Sequence, residues 1–247
     1  MLENSTYSVK WPKVIGNTKR YRASFGLKSF MEGEHLIVFK GKAFSHEDYI
    51  PRPVVVKSMR YFCGNKDDFE MYKLCNEQTR ILAIHFNKLS ATFSSKKMQS
   101  TFKLRFVVAA VTQIDTRSTL ALGKKFKKDE YVAFEEKLEG KFTTFIDKRG
   151  ETLDRNKCCL ILEAFSHFSF VVSGENFVIC GLKGVYREDK SDFILTNPTI
   201  HSREGKFGQK DKRDPGIRDV TKNHTCNKFC QMFMKKPSTF DNGTSEI

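Results

Sequence analysis

The spacing of apolar residues divides the chain in two. In the first half most apolar positions fall in short runs that suit strands. Phe30 to Phe44 carries two such segments, broken at Gly33 and Gly41. Val54-Val55-Val56-Lys57 is a β-branched run that leads away from the turn marked by Pro51 and Pro53. Asp67 to Leu89 changes period: Phe69, Tyr72, Leu74, Ile81, Leu82, Ile84, His85 and Leu89 mostly recur at helical spacing, with Asp67 or Asp68 as the cap. Leu104 to Val111 and Tyr131 to Phe134 return to strands. The first lobe is therefore expected to be a twisted sheet with one long helix.

Around Gly150 the composition shifts. Leu160 to Phe170 is helical in pattern, and Asn176 to Leu182 is a strand after the Ser173-Gly174 turn. Lys183 to Asp214, rich in Gly, Asp, Asn and Lys, is expected as a long functional loop region. Pro215 to Met234 is expected to be one helix, and polar residues 235–247 a flexible tail. No repeat and no low-complexity block interrupts this pattern.

The chain has 247 residues, 39% of them hydrophobic, which is enough for one bilobal unit with an extended core and excludes global disorder. The longest purely apolar run, Phe106 to Val111, is too short to cross a bilayer. The N-terminal Met1-Leu2-Glu3-Asn4 lacks the basic-then-apolar pattern of a secretion signal. Seven cysteines, an odd number, then point to reduced thiols or a metal and to a cytoplasmic setting. Net charge is +14 and uneven: Lys10 to Lys28 holds 6 Lys/Arg and no acid, and Lys96 to Lys128 holds 9 against Asp115 alone. Such patches favour acidic proteins, nucleic acid or nucleotide phosphates. No zinc-knuckle, RNA-recognition or helix-turn-helix pattern accompanies them, so nucleic acid is the weaker choice.

His224-Thr225-Cys226-Asn227-Lys228-Phe229-Cys230 gathers three metal donors within seven residues. On a helix Cys226 and Cys230 share a face, and His224 reaches the same point. A closed tetrahedral site needs a fourth ligand. By spacing alone His35, His46, His85, His167 and His201 are all candidates, and two buried helical cysteines beside a surface histidine is an equal alternative.

Several segments resemble the alpha-kinase family in order. Glu163-Ala164-Phe165-Ser166-His167-Phe168-Ser169-Phe170 is similar to its Ala-Phe-Ser-His-Phe-Thr motif, and Leu195-Thr196-Asn197-Pro198-Thr199-Ile200-His201 to its Leu-Thr-Asp-Pro-x-Ile-His segment. Asn223 to Cys230 resembles its His-x-Cys-Asn-x-x-Cys, and Leu138-Glu139-Gly140-Lys141-Phe142 its segment after the interlobe hinge. Glu32-Gly33 with Phe39-Lys40-Gly41 resembles its phosphate-covering loop. The resemblance implies an α+β, bilobal atypical protein kinase fold with a structural zinc in the C-terminal lobe. It implies an N-lobe at about 29–134, a C-lobe at about 135–234 and a basic N-terminal extension at 1–28. The implied zinc ligands are His167, His224, Cys226 and Cys230, which leaves His201 an ordinary loop histidine.

The implied activity is ATP- and Mg²⁺-dependent serine/threonine phosphotransfer. Lys57 matches the strand lysine on the ATP phosphates and Glu135 the hinge glutamate near the adenine, with its neighbour Glu136 competing for that assignment. Asn197, Gly208 and Asp211 complete the implied cofactor-binding set. Other matches are lost: Gly181 stands where the catalytic aspartate is expected, and Lys183 where a metal-facing glutamine is. Thr144 replaces a lysine, Leu36 an arginine and Arg213 a glycine. Lys183 either repels the metal or contacts phosphate in its place. Three readings follow: a pseudokinase that binds nucleotide or scaffolds partners, a kinase that uses the displaced Asp189 or Asp192, and a basic module for an acidic protein or nucleic acid.

Overall fold

The computed structural model describes residues 6–9, 21–45, 50–97, 102–116, 126–127, 129–154 and 157–234. The first half forms β1 (Thr6–Val9), β2 (Tyr21–Glu32), β3 (Leu36–Ser45), β4 (Arg52–Met59), α1 (Lys66–Lys97), β5 (Lys103–Phe106), β6 (Ala110–Thr116) and β7 (Tyr131–Glu136). All of these strands except β5 close into a barrel in the order β1-β2-β3-β4-β7-β6, with β6 pairing back onto β1. The barrel follows from period-two patterning. Val54 and Val56 of β4 turn inward with Phe25, Phe39, Ile114, Val132 and Phe134. Val55 and Lys57 take the opposite face, where they line a cleft. The rings of Phe25, Phe39 and Phe126 lie 5.6, 5.3 and 5.2 Å apart in the barrel. Burying each contributes roughly 2–3 kcal/mol, so this trio is a main anchor of the barrel.

The second half adds β8 (Thr143–Thr144), α2 (Leu160–Val172), β9 (Phe177–Cys180), β10 (Lys183–Arg187), β11 (Asp192–Thr196), β12 (Thr199–Ser202), α3 (Arg213–Asn223) and α4 (Gln231–Met234). Here β5, β11, β10 and β8 form a sheet, with β5 parallel to β11, and β12 pairs with β9. The lobe's core joins Phe86 of α1 to Leu104, Phe106, Phe145, Phe165, Phe168 and Phe193. Among the described residues no helix is long and apolar enough to cross a membrane.

Several expectations change. Gly41 lies inside β3 rather than at a break, paired with Phe25 and Val54, and it is glycine because a Cβ there would meet Ser24 O at 2.6 Å. The cap of α1 is Asn65, whose Oδ1 accepts the Asp68 N–H at 2.9 Å while Asp68 Oδ2 accepts the Asn65 N–H at 3.1 Å, a reciprocal box. The segment expected as an extension supplies β1 and the start of β2, and Ala23 and Phe25 sit in the barrel core. β5 belongs to the second sheet, not the first lobe. Lys183 to Asp214 is not a loop region, since β10, β11 and β12 occupy much of it and every residue of β11 is buried. The expected helix from Pro215 to Met234 stops at Asn223, so Cys226 and Cys230 lie on a turn-rich segment. The tail at 235–247 and residues 10–20, 98–101, 117–125 and 128 of the two basic patches lie outside the described residues.

Candidate functional site: an interlobe cleft and a His/Cys cluster

A cleft of about 510 Å³ opens between the barrel and the second sheet. Its apolar lining is formed by Phe30, Met31, Val38, Val55, Leu138 and Phe142, and one wall by the connection Glu135 to Gly140. Gly140 (φ 112°) permits the close approach of Val185, whose Cγ1 a Cβ would meet at 2.8 Å. The β2–β3 turn covers the cleft; it is closed by the Gly33 N–H bond to Leu36 O at 2.7 Å and by Arg60 Nη1 on Gly33 O at 3.0 Å. Leu36, at the expected arginine position, is buried against Phe69 and Tyr72.

The polar lining is built by strand register. Val55 lies opposite Glu135, and Lys57 opposite Ala133, across β4 and β7. Lys57 Nζ reaches Glu135 Oε2 at 2.5 Å, Thr196 Oγ1 at 2.7 Å and Tyr72 Oη at 2.9 Å. Tyr72 Oη and Thr196 Oγ1 also donate to Glu135, the latter at 2.5 Å. Lys57 and Glu135 are 5% and 2% exposed, so the pair is a buried, fully engaged unit. Glu135 thus lines the cleft and holds Lys57. Burial and the Glu135 carboxylate push the Tyr72 hydroxyl well up from its ordinary value.

Three more lysines converge here. Lys183 on β10 lies opposite Thr196 of β11 and opposite Thr144 of β8. Lys210 Nζ donates to Asn197 Oδ1 at 2.8 Å. Lys148, in the turn after β8, pairs with Glu34 at the tip of the β2–β3 turn and so ties the two lobes together. Burial first, then the neighbouring ammonium groups, pull Lys183 down to about 8. The same causes, with Lys183 as the leading neighbour, pull Lys210 down to about 7. The Lys148 ammonium lowers the Glu34 carboxyl. Sequence reasoning missed Tyr72, Lys148 and Lys210; the run Gly208-Gln209-Lys210-Asp211 was the available signal for the last.

The remaining expected residues fall as follows. Asn197 (φ 49°) lines the cleft. Gly208 (φ 81°) lies against Met71, whose Cγ a Cβ would meet at 2.7 Å. Asp211 organises its own loop: its carboxylate accepts the N–H groups of Ser202, Phe207 and Arg213 and the Ser202 hydroxyl. Gly181 has φ 63°, and a Cβ there would meet Thr199 Oγ1 at 2.8 Å. Asp192 is buried, pairs with Arg187 and begins β11, four residues from Thr196. At about 3.3 Å per residue that puts it roughly 13 Å from the lysines. His201 is a buried strand residue rather than a loop histidine. Its Nδ1 accepts the Lys212 N–H at 3.1 Å and its Nε2 lies 2.9 Å from Lys148 O, which defines the neutral tautomer with the proton on Nε2. Burial lowers its basicity further.

The second locus is a donor cluster. His167 on α2, and His224, Cys226 and Cys230 after α3, bring their ligand atoms within 4.8 Å of one another. Cys226 Sγ lies 3.6 Å from His167 Nδ1, and Cys230 Sγ 3.5 Å from His224 Nε2. Zinc–sulfur and zinc–nitrogen bonds of about 2.3 and 2.05 Å at a tetrahedral angle put sulfur and nitrogen about 3.5–3.6 Å apart, so this donor set fits the ion. Asn227 orients the segment: its Nδ2 donates to Leu160 O at 2.9 Å and its Oδ1 accepts the Phe229 N–H at 3.0 Å. Burial lowers both histidines and raises the Cys230 thiol to about 11.

A closed barrel over a mixed sheet, with a polar cleft at the hinge, is a two-lobed kinase-type architecture. Residues 31–230 match the model of the alpha-kinase family, and the chain belongs to that family. It is 28% identical over 187 residues to alpha-protein kinase 1 of Dictyostelium discoideum, covering 70% of this chain and 12% of that protein. It is 24% identical over 177 residues to myosin heavy chain kinase A of the same organism, covering 68% of this chain and 14% of the relative. The chain therefore spans about an eighth of the length of these relatives. The ATP complex of the inactive alpha-kinase domain of myosin heavy chain kinase A superposes with a TM-score of 0.72 at 18% identity, over 95% of this chain and 99% of that one. Its AMP-PNP complex gives 0.69 at 17% identity, over 94% and 96%.

Proposed function

We propose that this chain is a zinc-stabilised alpha-kinase domain that holds a nucleotide in the interlobe cleft and transfers phosphate poorly or not at all. The observation that carries this reading is Gly181. The position expected to present a carboxylate has none, and its left-handed backbone and the Thr199 side chain leave no room for one. Of the two offered substitutes, Asp189 is exposed on the short turn Glu188–Lys190 after β10, and Asp192 is tied to Arg187 at the start of β11. Nucleotide binding is supported by the apolar lining of the cleft, its ammonium groups and the nucleotide complexes of similar domains. A zinc ion on His167, His224, Cys226 and Cys230 would be structural, because four protein ligands leave no open position. It would pin the segment after α3 to α2. The seven unpaired cysteines suit a reducing, cytoplasmic setting.

The test is transfer of labelled phosphate from ATP to the protein itself and to a mixed protein substrate, beside ATP-binding calorimetry. Binding without transfer is expected. Transfer that the double variant Lys57→Met/Glu135→Gln abolishes would overturn the reading.

A further inference from the structure

The cleft is lined by Lys40, Lys57, Lys137 and Lys183 against Glu135, Glu136 and Glu139, one more cation than acid. Lys57 is neutralised by Glu135, and Lys148 by Glu34. Among the described residues Lys210 Nζ bonds a neutral amide oxygen, and Lys183 Nζ, which lines the cleft, has neither a hydrogen bond nor an ion pair. The four lysines come from four separate elements and lie near enough for their charges to interact. Lys183 lies across the ladder from Thr196, Thr196 bonds Lys57, and the next residue, Asn197, bonds Lys210. Lys183 lines this cleft and Lys210 the adjoining cavity that shares Leu36 and Asn197 with it; neither has a carboxylate partner among the described residues, and when protonated the two carry the charge of one divalent cation.

Resting on the nucleotide-binding reading above, we infer that the cleft takes a nucleoside polyphosphate as the free anion, with the Lys183 and Lys210 ammonium groups meeting its phosphate oxygens directly and no divalent cation between them. Like charges repel, so a divalent ion gains nothing beside these groups, whereas a polyphosphate relieves their mutual repulsion. Charge-assisted bonds from ammonium to phosphate are the strong class of hydrogen bond, and the partly buried site strengthens them. The base is placed on the apolar lining residues Phe30, Met31, Leu138 and Phe142. Lys148 is a reserve donor: its present partner Glu34 sits on an exposed turn tip.

The test is calorimetry of the unaltered protein with ATP in excess EDTA and in excess Mg²⁺. Binding in EDTA as tight as, or tighter than, in Mg²⁺ is expected. Binding only with Mg²⁺ overturns the inference and leaves nucleotide binding intact; binding in neither condition overturns both. Lys183→Gln, checked for native melting, is expected to weaken ATP binding in EDTA by about tenfold or more while leaving adenosine binding unchanged. Equal ATP affinity of Lys183→Gln and its parent in EDTA also overturns it. Inorganic tripolyphosphate in EDTA is expected to displace ATP, and failure to compete counts against the lysine cluster as its site.

Discussion

Restoring an acid at position 181 is expected to damage this protein rather than repair it. Gly181 is buried with φ 63°, and its N–H donates to Asp147 O at 2.9 Å. The next carbonyl, of Leu182, accepts the N–H groups of Phe145 and Ile146 at 2.9 and 3.2 Å, so the backbone is held on both sides. A Cβ here would stand 2.8 Å from Thr199 Oγ1 and 3.2 Å from Thr199 Cβ. Left-handed backbone costs a side-chain-bearing residue about 1 kcal/mol or slightly more, and forcing atoms into a filled site costs about 1–3 kcal/mol. Gly181→Asp is therefore expected to lose about 2–4 kcal/mol, and at about 2–4 °C per kcal/mol to melt about 5–15 °C lower. Gly181→Ala separates conformation from charge and is expected to account for most of the loss. Gly181→Asp/Thr199→Ala is expected to regain part of it without gaining phosphotransfer. The assays are thermal unfolding followed by circular dichroism and labelled-phosphate transfer. A Gly181→Asp variant that melts with its parent, or that transfers phosphate, would refute the claim that the loss of the acid is built into the backbone.

Three further outcomes are expected. Strong chelation, or His167→Ala, should release one zinc per chain and lower the melting temperature, because metal-binding energy is folding energy at a closed site; unchanged melting after verified zinc loss would remove the structural role. Lys57→Met should cost about 3–5 kcal/mol by leaving the buried Glu135 carboxylate without a cation, and adding Glu135→Gln should recover much of it; additive losses in the double-mutant cycle would contradict the coupling. The pH dependence follows from Lys183 and Lys210, which face Lys57, Lys148, Glu135, Glu34 and Cys75. Their folded values, about 8 and about 7, lie below the ordinary 10.5, so the unfolded chain binds more protons and stability should rise from about pH 7 to about pH 8.5. Above about pH 9 the buried thiols, with Cys75 raised to about 12, act in the opposite sense. Melting curves that fall steadily from pH 7 to 9 would contradict this balance, and Lys183→Gln should flatten the rise.

What could be read from the chain was local. Val54 to Lys57 is legible as a strand from its β-branched run, and β4 keeps Val54 and Val56 in the barrel and Lys57 in the cleft. His167, His224, Cys226 and Cys230 converge as the resemblance implies, although the supporting geometry was misjudged. Four-residue spacing fits a helix, but here an Asn227-centred turn supplies the same approach of donors. The strands from 183 to 202 were hidden for a physical reason. β11 is a short apolar run between polar neighbours, and its burial depends on parallel pairing with β5, some ninety residues earlier. Neither period nor propensity reports such a partner. The same holds for His201, whose burial comes from β9 on one side and Gly216 on the other, where a Cβ would meet its ring at 2.4 Å.

The lysine cluster was invisible for a related reason, and its register explains how the cleft keeps a cation while losing expected ones. Position 144, where a lysine is expected, is threonine, and position 183, where a neutral amide is expected, is lysine. The two residues are direct cross-strand partners on β8 and β10. Side chains opposite each other in a ladder start about 5 Å apart, within the reach of a lysine, so moving the ammonium from one strand to the other preserves charge at nearly the same place. In this chain Lys183 supplies a cation opposite Thr144, and Gly181 supplies no acid. That combination opposes metal-assisted transfer and favours holding an anion. It predicts that the reciprocal variant, Thr144→Lys/Lys183→Gln, retains ATP binding in EDTA that Lys183→Gln alone loses.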